Sequence, residues 1–359
     1  MSMREMMRGK KHSRIHKSSG SVSNAPLDDY PIDIVVPWVD GADPAWRAEH
    51  DKYTASSTSD NSSARYRDWE LFKYWFRGVE QYAPWVNKVF LVTYGHLPAW
   101  LNTEHPKLVI VNHKDYIPEK YLPTFSSHVI ELNMHRIPGL SEHFLYFNDD
   151  VYLTQPTGRT DFFRDGVPLD TAVFGIVKNT DTTNYMPYIM LNMLAVINEH
   201  FSKREMIRKN PGKWLTLKNG KGLLNTLYLM PWSSYTGFRN YHTCVSYCKS
   251  TFEKVWKEVP DILDQTCSHK FRSKEDVNQY LMRYWQLCEG NFEPRKQISD
   301  YITINGEKTS EHVRELMNDA RYKVVCVNDD PMGFDFETEK KKMIRVFEEK
   351  YPEKSSFEL

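Results

Sequence analysis

Three short acidic clusters follow apolar runs that have the composition of buried strands. In an open α/β sheet the loops at the carboxyl ends of the strands form the ligand crevice, so the clusters are expected at one edge. Asp and Asn are also common loop formers, and a single pair would mean little. Three pairs indicate a site for a hard divalent cation, Mg²⁺ or Mn²⁺, because such an ion takes oxygen ligands when it bridges phosphates. The pairs are Asp40 with Asp43, Asp149 with Asp150, and Asp329 with Asp330.

Phosphate chemistry also requires positive charge and a proton acceptor. Guanidinium groups match phosphate oxygens, and Arg67, Arg136 and Arg272 each lie beside an acidic residue or a turn. His242 and His135 are the candidate proton acceptors. The sequence contains neither a GxxxxGK[ST] nor a GxGxxG motif, which argues against an ATP-driven P-loop enzyme and a dinucleotide-binding enzyme.

The elements that position these residues follow from the alternation of short apolar runs with helical patterns, which predicts an α/β nucleotide-binding layer. Residues 124–127 open one helix, where free amides and the hydroxyl groups of Ser126 and Ser127 would attract an anion. Strands are predicted over 32–39, 88–94, 108–112, 144–147 and 321–328, and helices over 68–82, 126–137, 251–259 and 274–287. A mostly helical insertion is expected over about 185–290.

The ends of the chain differ from this body. Residues 1–28 are basic and then rich in Ser, Gly and Asn, which predicts a disordered tail that either has no role or makes a weak electrostatic contact with an anionic membrane. Residues 29–335 form the predicted catalytic domain. Residues 336–359 read as a charged helix, in which Met343, Val346, Phe347 and Tyr351 would cover one edge of the body.

Overall composition excludes some classes of protein. The 47 Lys and Arg residues balance the 47 Asp and Glu residues in a chain of 359, so no net field favours nucleic acid as a partner. Five scattered Cys residues argue for a reducing compartment, and no apolar run of membrane-spanning length occurs. A cytoplasmic enzyme is therefore expected, with its tail as a candidate contact to the inner face of the cell membrane.

The order of several motifs resembles the Stealth family, which includes bacterial capsular polysaccharide phosphotransferases and the lysosomal-enzyme N-acetylglucosamine-1-phosphotransferase. The resemblance spans residues 32–330 in four regions. Its motifs are IDIVVPWVDGADP, the block from RYRDWELFKYW to HFLYFNDDVYL, CSHKFRSKEDVNQYLMRYW, and VVCVND.

Membership of this family implies transfer of sugar-1-phosphate from a UDP-sugar to a glycan or lipid-linked glycan, on a glycosyltransferase A-like (Rossmann-like) α/β core with a divalent metal. The family's motifs place the catalytic residues at His242, Asp40, Asp149, Asp150 and Arg272, and the metal ligands at Asp149, Asp150, Asn328 and Asp329. Substrate-binding residues are expected at Arg67, Asp68, Thr93, Ser126, Ser127, His135 and Arg136.

Two other functions fit the same residues. A metal-dependent glycosyltransferase would use Asn148-Asp149-Asp150 as its metal-binding motif, attack the anomeric carbon and release UDP instead of UMP. A polysaccharide-binding protein without catalysis would use its aromatic residues, 14% of the chain, to stack on sugar rings. Convergent carboxylates, arginines and a histidine are not needed for binding alone, and they favour an enzyme.

Overall fold

The computed structural model describes residues 29–54, 68–305, 309–329 and 334–359. The predicted tail 1–28 and Arg67 lie outside the described residues. The strands are β1 (Ile32–Pro37), β2 (Val89–Thr93), β3 (Leu108–Asn112), β4 (His143–Tyr146), β5 (Val151–Leu153), β6 (Phe163–Arg164), β7 (Val167–Asp170), β8 (Val245–Cys248), β9 (Glu293–Pro294), β10 (Ser299–Ile304) and β11 (Val324–Asp329).

The helices of the described residues cover both faces of the strands. They are α1 (Pro44–Thr54), α2 (Phe72–Tyr82), α3 (Ser127–Leu132), α4 (Met186–His200), α5 (Lys203–Lys209), α6 (Pro211–Trp214), α7 (Gly222–Leu229), α8 (Lys249–Glu258), α9 (Pro260–Ser268), α10 (Tyr280–Glu289), α11 (Thr309–Asn318) and α12 (Phe336–Lys350). None of these helices is long and apolar enough to cross a membrane.

The main sheet has the strand order β3-β2-β1-β4-β8, in which the first four strands are parallel and β8 is antiparallel to β4. All residues of β2 and nearly all of β1 are buried, because helices cover the sheet on both sides. This is the α/β architecture with a mainly parallel sheet that the alternating pattern predicts.

Alternate residues of the same strands build two cores. Val35, Phe90 and Phe144 face the layer of α4 and α8–α10, whereas Ile34 and Leu91 face α2 and α12. The alternation follows from the two-residue period of a strand. Both faces of the sheet are thus packed, and only its ends are open for a site.

A second sheet, β10-β11-β5, continues from the first through a four-residue turn between β4 and β5. β11 runs antiparallel to β5 and parallel to β10. A third, small sheet has the order β6-β7-β9.

The stretch 185–290 is mostly helical, as the sequence indicates, but it also contributes a strand to the main sheet. All four residues of β8 are buried, and Cys248 pairs with His143 at the start of β4. The insertion is therefore also part of the central core, because its apolar strand completes the edge beside β4.

The C-terminal helix is shorter than the sequence predicts over residues 336–359. α12 ends at Lys350, and the last residues run back along α2, where Arg77 binds Glu358 through two hydrogen bonds of 2.8 and 2.7 Å. The four apolar positions expected to cover the body are buried; they are Met343, Val346, Phe347 and Tyr351.

Candidate active site

An acidic turn lies at the carboxyl end of β4, between the two larger sheets. The backbone N–H of Phe147 donates to the carbonyl of Val35, and the N–H of Val151 donates to that of Asn148, which closes the turn over Asp149 and Asp150. The hydroxyl of Tyr146 donates to Asn148 Oδ1 at 2.7 Å and holds that side chain in place. The turn therefore projects into the crevice that parallel strands form at this end.

Strand β11 brings Asn328 and Asp329 to the same place, while Asp330 lies outside the described residues. The N–H of Val327 donates to the carbonyl of Asp150 at 2.9 Å, so the next residues, Asn328 and Asp329, pass beside the acidic turn. Asn328 Nδ2 donates to the carbonyl of Asp329 at 3.2 Å. Residues nearly 180 positions apart thus form one site, as expected for clusters at strand ends.

The electrostatics of the turn suit a cation. Part of Asp149 faces solvent, but the surrounding protein desolvates its carboxyl group. This desolvation raises the pKa of Asp149 to about 7, and the nearby charges of Asp150 and Asp68 act in the same direction. Burial also raises the pKa of Asp150, against the opposing effect of His242. A divalent cation would relieve the repulsion between these carboxylates, and the oxygen ligands of Asp149, Asp150, Asn328 and Asp329 fit Mg²⁺ or Mn²⁺.

His242 lies on the other side of Asp150, with its Nε2 4.0 Å from Asp150 Oδ2. Its backbone has a φ of +44°, a left-handed conformation that is uncommon for a residue other than glycine. The ring stacks at 6.2 Å on the exposed Tyr301 of β10. This arrangement points one ring nitrogen at the acidic turn.

Cys326 completes a group with Asp150 and His242 whose potential ligand atoms all lie within 4.8 Å of one another. The Cys326 thiol donates to Asp150 Oδ2 at 3.4 Å, and burial raises the pKa of this thiol well above its ordinary value. A protonated thiol is a hydrogen-bond donor, whereas zinc sites use the thiolate. The set therefore fits an oxygen-bound cation beside a neutral Cys326 better than a zinc centre.

A buried ion pair holds the turn that carries His242. Arg283 of α10 donates from Nε and Nη2 to the two carboxylate oxygens of Asp170, at 2.7 and 2.8 Å. Its Nη1 donates to Asn240 Oδ1 at 2.9 Å, two residues before His242. Asn240 in turn donates to the hydroxyl of Tyr284 at 2.6 Å. The guanidinium group thus connects α10 and β7 to the histidine turn.

Asp40 lies beyond the end of β1, at the same edge of the sheet as the acidic turn. Its N–H donates to His96 Nε2 at 2.8 Å, and its Oδ1 accepts from the N–H of Ala42. Burial lowers the pKa of His96 despite the nearby Asp43 and Asp40, which agrees with a neutral ring that accepts this bond. His96 and its loop are therefore a support for Asp40 that the sequence does not identify.

Asp43, the other residue of the first acidic cluster, caps a helix. Asp43 Oδ1 accepts from the N–H of Trp46 at 2.7 Å and so caps the start of α1. The predicted substrate ligand Thr93 is buried, and its hydroxyl donates to the carbonyl of His96 at 2.6 Å. Both side chains shape the loops that surround Asp40.

Arg272 lies near the acidic turn on the side of α3. Its Nη2 donates to Ser127 Oγ at 2.6 Å, and its charge acts on the Tyr146 hydroxyl, which is bonded to Asn148. The hydroxyl of Ser126 is buried and has no hydrogen-bond partner among the residues that the structure describes. The helix at the expected anion site, α3, has six residues, and the anion site at its start stays a prediction.

His135 and Arg136 are not at this site. The buried His135 ring lies against Phe252, and burial lowers its pKa to about 3, with help from Arg136 and Lys249. Lys249, whose charge acts on His135, donates its N–H to the carbonyl of Glu142, just before β4. His135 and Arg136 therefore lie near the start of β4, at the end of the sheet opposite to the acidic turn. The prediction that His135 and Arg136 bind substrate at this site is wrong, because β4 begins at His143 and both residues lie shortly before it in the chain. Arg136 instead covers the ring of Trp256.

Asp68, by contrast, does reach the site. Its charge contributes to the raised pKa of Asp149, and its Oδ1 accepts from the N–H of Glu70 at 2.7 Å in the turn before α2. Of the predicted residues within the described part of the chain, the structure therefore gathers Asp68, Asp149, Asp150, His242, Asn328 and Asp329, with Asp40, Arg272 and Ser127 at the surrounding edge.

Comparison with known proteins identifies the family. Two family models match, Stealth protein conserved region 1 over residues 30–58 and conserved region 2 over residues 65–169. A capsular polysaccharide phosphotransferase, WcwK of Streptococcus pneumoniae, is 44% identical over 91% of this chain and 98% of its own length. The exopolysaccharide phosphotransferase cps2G of Lactiplantibacillus plantarum is 37% identical over 94% of this chain and 98% of its own. The chain belongs to the Stealth family.

The two matched regions contain part of the site. They include Asp40, Asp149 and Asp150, while His242 and Asp329 lie outside the matched ranges. The roles assigned to all five residues stay predictions. A solved structure of the galactosyltransferase LgtC with donor and acceptor sugar analogues aligns with 88% of this chain and 95% of its own, at 9% identity and a TM-score of 0.35.

Proposed function

We propose that this polysaccharide phosphotransferase moves a hexose-1-phosphate or N-acetylhexosamine-1-phosphate unit from a UDP-sugar to a hydroxyl group of a glycan, in capsule or exopolysaccharide synthesis, and releases UMP. The observation that supports it is the convergence of Asp149 and Asp150 with Asn328 and Asp329 at the carboxyl end of the sheet, in a chain of this family. A cytoplasmic location is part of the proposal.

The reaction exchanges one phosphorus–oxygen bond for another. The acceptor oxygen attacks the β-phosphorus of the donor, and the bond from that phosphorus to the bridging oxygen breaks. The acceptor's proton passes to a base, and UMP leaves with the bridging oxygen. The bond between the sugar and its phosphate stays intact, so the anomeric configuration is retained. Such a reaction depends mainly on positioning and charge neutralisation.

The residues of the site divide these tasks. Asp149, Asp150, Asn328 and Asp329 would hold Mg²⁺ or Mn²⁺, which supplies positive charge for the diphosphate. Arg272, on the α3 side of the turn, would add charge at the transferred phosphate.

His242 is the proposed base. Its Nε2 faces Asp150 at 4.0 Å, and the Arg283–Asn240 contact holds its turn. A base must lie within reach of the proton that it takes, and the acidic turn would place the acceptor and donor on this side of the ring. Asp40, at the end of β1, would help to orient the donor.

The nucleotide released decides between this function and its main alternative. The purified protein is incubated with Mg²⁺, a panel of UDP-sugars and glycan acceptors, and the products are measured by mass. Acceptor-dependent release of UMP with a phosphosugar product supports the proposal. Release of UDP with a glycoside product would instead establish a glycosyltransferase. Donor or glycan binding without any turnover, with metal present, would favour a binding protein.

The role of His242 has its own test. His242→Ala removes the proton acceptor but no charge that the phosphates need, so donor binding should persist while turnover falls by about 10²- to 10⁴-fold. The matched control is His312→Ala, at an exposed position of α11 that is remote in sequence from the acidic turn, which should leave both unchanged. Weaker donor binding at an unchanged maximal rate would make His242 a donor ligand instead.

A further inference from the structure

Helix α7 presents its apolar side to solvent. Leu224, Leu227 and Tyr228 occupy the i, i+3 and i+4 positions of one helical face and are 69, 42 and 69% exposed. Leu217 before the helix and Trp232 after it are 87 and 49% exposed, and the rings of Tyr228 and Trp232 are in contact at 5.7 Å. We call these five residues the apolar ridge. Isolated exposed apolar residues are common, but a continuous face of them marks an interaction surface.

The opposite face of α7 fixes this orientation. Gly222 lies so close to Val173 that a Cβ atom there would come within 2.6 Å of its side chain. Thr226 Oγ1 accepts from the N–H of Phe174 at 3.3 Å, and Leu229 is buried. Gly222, Thr226 and Leu229 thus face the protein, while Leu224, Leu227 and Tyr228 face outward. A surface helix that serves only folding would keep large apolar residues such as these three on its buried face.

Basic residues are concentrated in the stretch of sequence that contains the ridge. Residues 202–232 contain seven Lys and Arg residues and a single acidic residue, Glu205, although the whole chain has a balanced charge. Several of the basic side chains are exposed to solvent; these are Arg204, Arg208, Lys209, Lys218 and Lys221. An apolar face with Trp, Tyr and Leu beside basic residues is typical of helices that lie in the interface of an anionic membrane.

We propose that the apolar ridge docks the protein on an anionic lipid bilayer, with its rings and leucines in the headgroup region and the basic residues against lipid phosphates. The eight-residue α7 would lie in the plane of the interface. A second copy of this chain fits less well, because two such surfaces would bring like charges together. The proposal does not depend on the reaction, since vesicle binding and nucleotide release are measured separately.

The test is binding of the full chain to vesicles, by sedimentation. Vesicles that contain phosphatidylglycerol should bind the protein, and binding should weaken with salt and be much weaker on phosphatidylcholine alone. The double variant Leu224→Asp/Tyr228→Asp should bind the anionic vesicles at least about ten- to a hundredfold more weakly, since it replaces two large apolar contacts with charge. It keeps residues 1–28, so the loss would come from the ridge and not from the basic tail.

Controls separate the ridge from general effects. Leu359→Asp changes an equally exposed leucine at the C-terminus, whose N–H donates to the carbonyl of Trp100, and should bind vesicles like the wild type. Trp232→Phe should remove most of the fluorescence quenching that bromine-labelled lipids cause. Both variants should release nucleotide from the donor normally when soluble acceptors are supplied.

Three results would overturn the proposal. The first is that the Leu224→Asp/Tyr228→Asp variant binds vesicles as well as the wild type does. The second is that the wild type binds neutral and anionic vesicles equally. The third is that the wild type binds no vesicles but self-associates, and that this variant abolishes the self-association. The last result would make the ridge an interface between copies of the chain.

Discussion

Asp276 connects three groups around the loop that carries Arg272, and its replacement by Asn should destabilise the protein strongly. Its carboxylate is buried and bonded to His128 Nδ1 at 2.8 Å, to His269 Nδ1 at 2.7 Å and to the N–H of Ser273 at 2.8 Å. Removing one partner from a buried charged network costs about 3–5 kcal/mol. That is a large part of the roughly 5–15 kcal/mol by which a domain is stable.

The pH dependence of this loss follows from the three pKa shifts. The hydrogen bond to Asp276 raises the pKa of His269, whereas burial lowers that of His128. Burial alone would raise the pKa of Asp276, but the two histidines outweigh it and lower it. The lowered pKa of Asp276 contributes to the free energy of unfolding at pH values above about 3.9. The raised pKa of His269 contributes fully below a pH of about 6.5, and this contribution is lost as the pH rises through the raised pKa.

The difference in unfolding free energy between wild type and Asp276→Asn should therefore be largest near pH 5 to 6, between the two reference pKa values. It should shrink above the raised pKa of His269. Urea unfolding across this pH range measures it. Asp264→Asn, which changes a solvent-exposed aspartate bonded to Lys120, is the matched control and should have little effect. A loss below about 1 kcal/mol, or a difference that does not vary with pH, would refute the network as the source of stability.

Three further changes test the site. Asp150→Asn should reduce turnover by orders of magnitude with an unchanged melting temperature, and normal turnover would remove Asp150 from the site. Cys326→Ala should keep Mg²⁺-supported turnover within about tenfold, because the protonated thiol donates to Asp150 and is not expected to bind the metal; a larger loss of metal affinity in a metal titration would contradict this. Arg283→Met leaves Asp170 unpaired and should cost about 3–5 kcal/mol in urea unfolding. The surface variant Arg321→Met should change little, and equal effects of the two would argue against the buried pair.

The sequence predicted those parts of the site that depend on local pattern. An apolar strand followed by Asn148, Asp149 and Asp150 places the acidic turn at a strand end, since β4 and the turn are consecutive in the chain. The strand before Asn328 is recognised in the same way. The rule that carboxyl ends of parallel strands meet at one edge accounts for Asp40 and the acidic turn, which follow the parallel strands β1 and β4. Asn328 and Asp329 reach the same place through the antiparallel pairing of β11 with β5.

Residues that depend on the path of the chain between elements could not be predicted in this way. His135 has the same local character as His242, but a turn before β4 takes it to the other end of the sheet. Cys326 looks like an ordinary strand residue, and only the antiparallel pairing of β11 with β5 sets it against Asp150. The contact of Arg283 with Asn240 could not be predicted either, because it depends on the position of α10 beside the turn that contains Asn240.

Helix starts show the same limit. The apolar spacing predicted a helix from residue 274, but α10 begins at Tyr280. The intervening residues instead form the turn in which the N–H of Ser273 donates to Asp276 Oδ2. A polar side chain that can bond to a nearby backbone group competes with the helix, and here the two histidines stabilise the competing turn.

The join between the two sheets gives the C-terminal segment a part in the site. Asp40 belongs to the end of the main sheet, whereas Asn328 and Asp329 belong to the second sheet, so their separation depends on how the two sheets are held. The hydroxyl of Tyr351, just after α12, donates to the carbonyl of Leu153 in β5 at 2.8 Å. Gly78 of α2 allows that same carbonyl to come close, since a Cβ there would lie 2.9 Å from it. α2 and the C-terminal segment therefore fix the second sheet against the first, and they belong to the structure that positions Asn328 and Asp329.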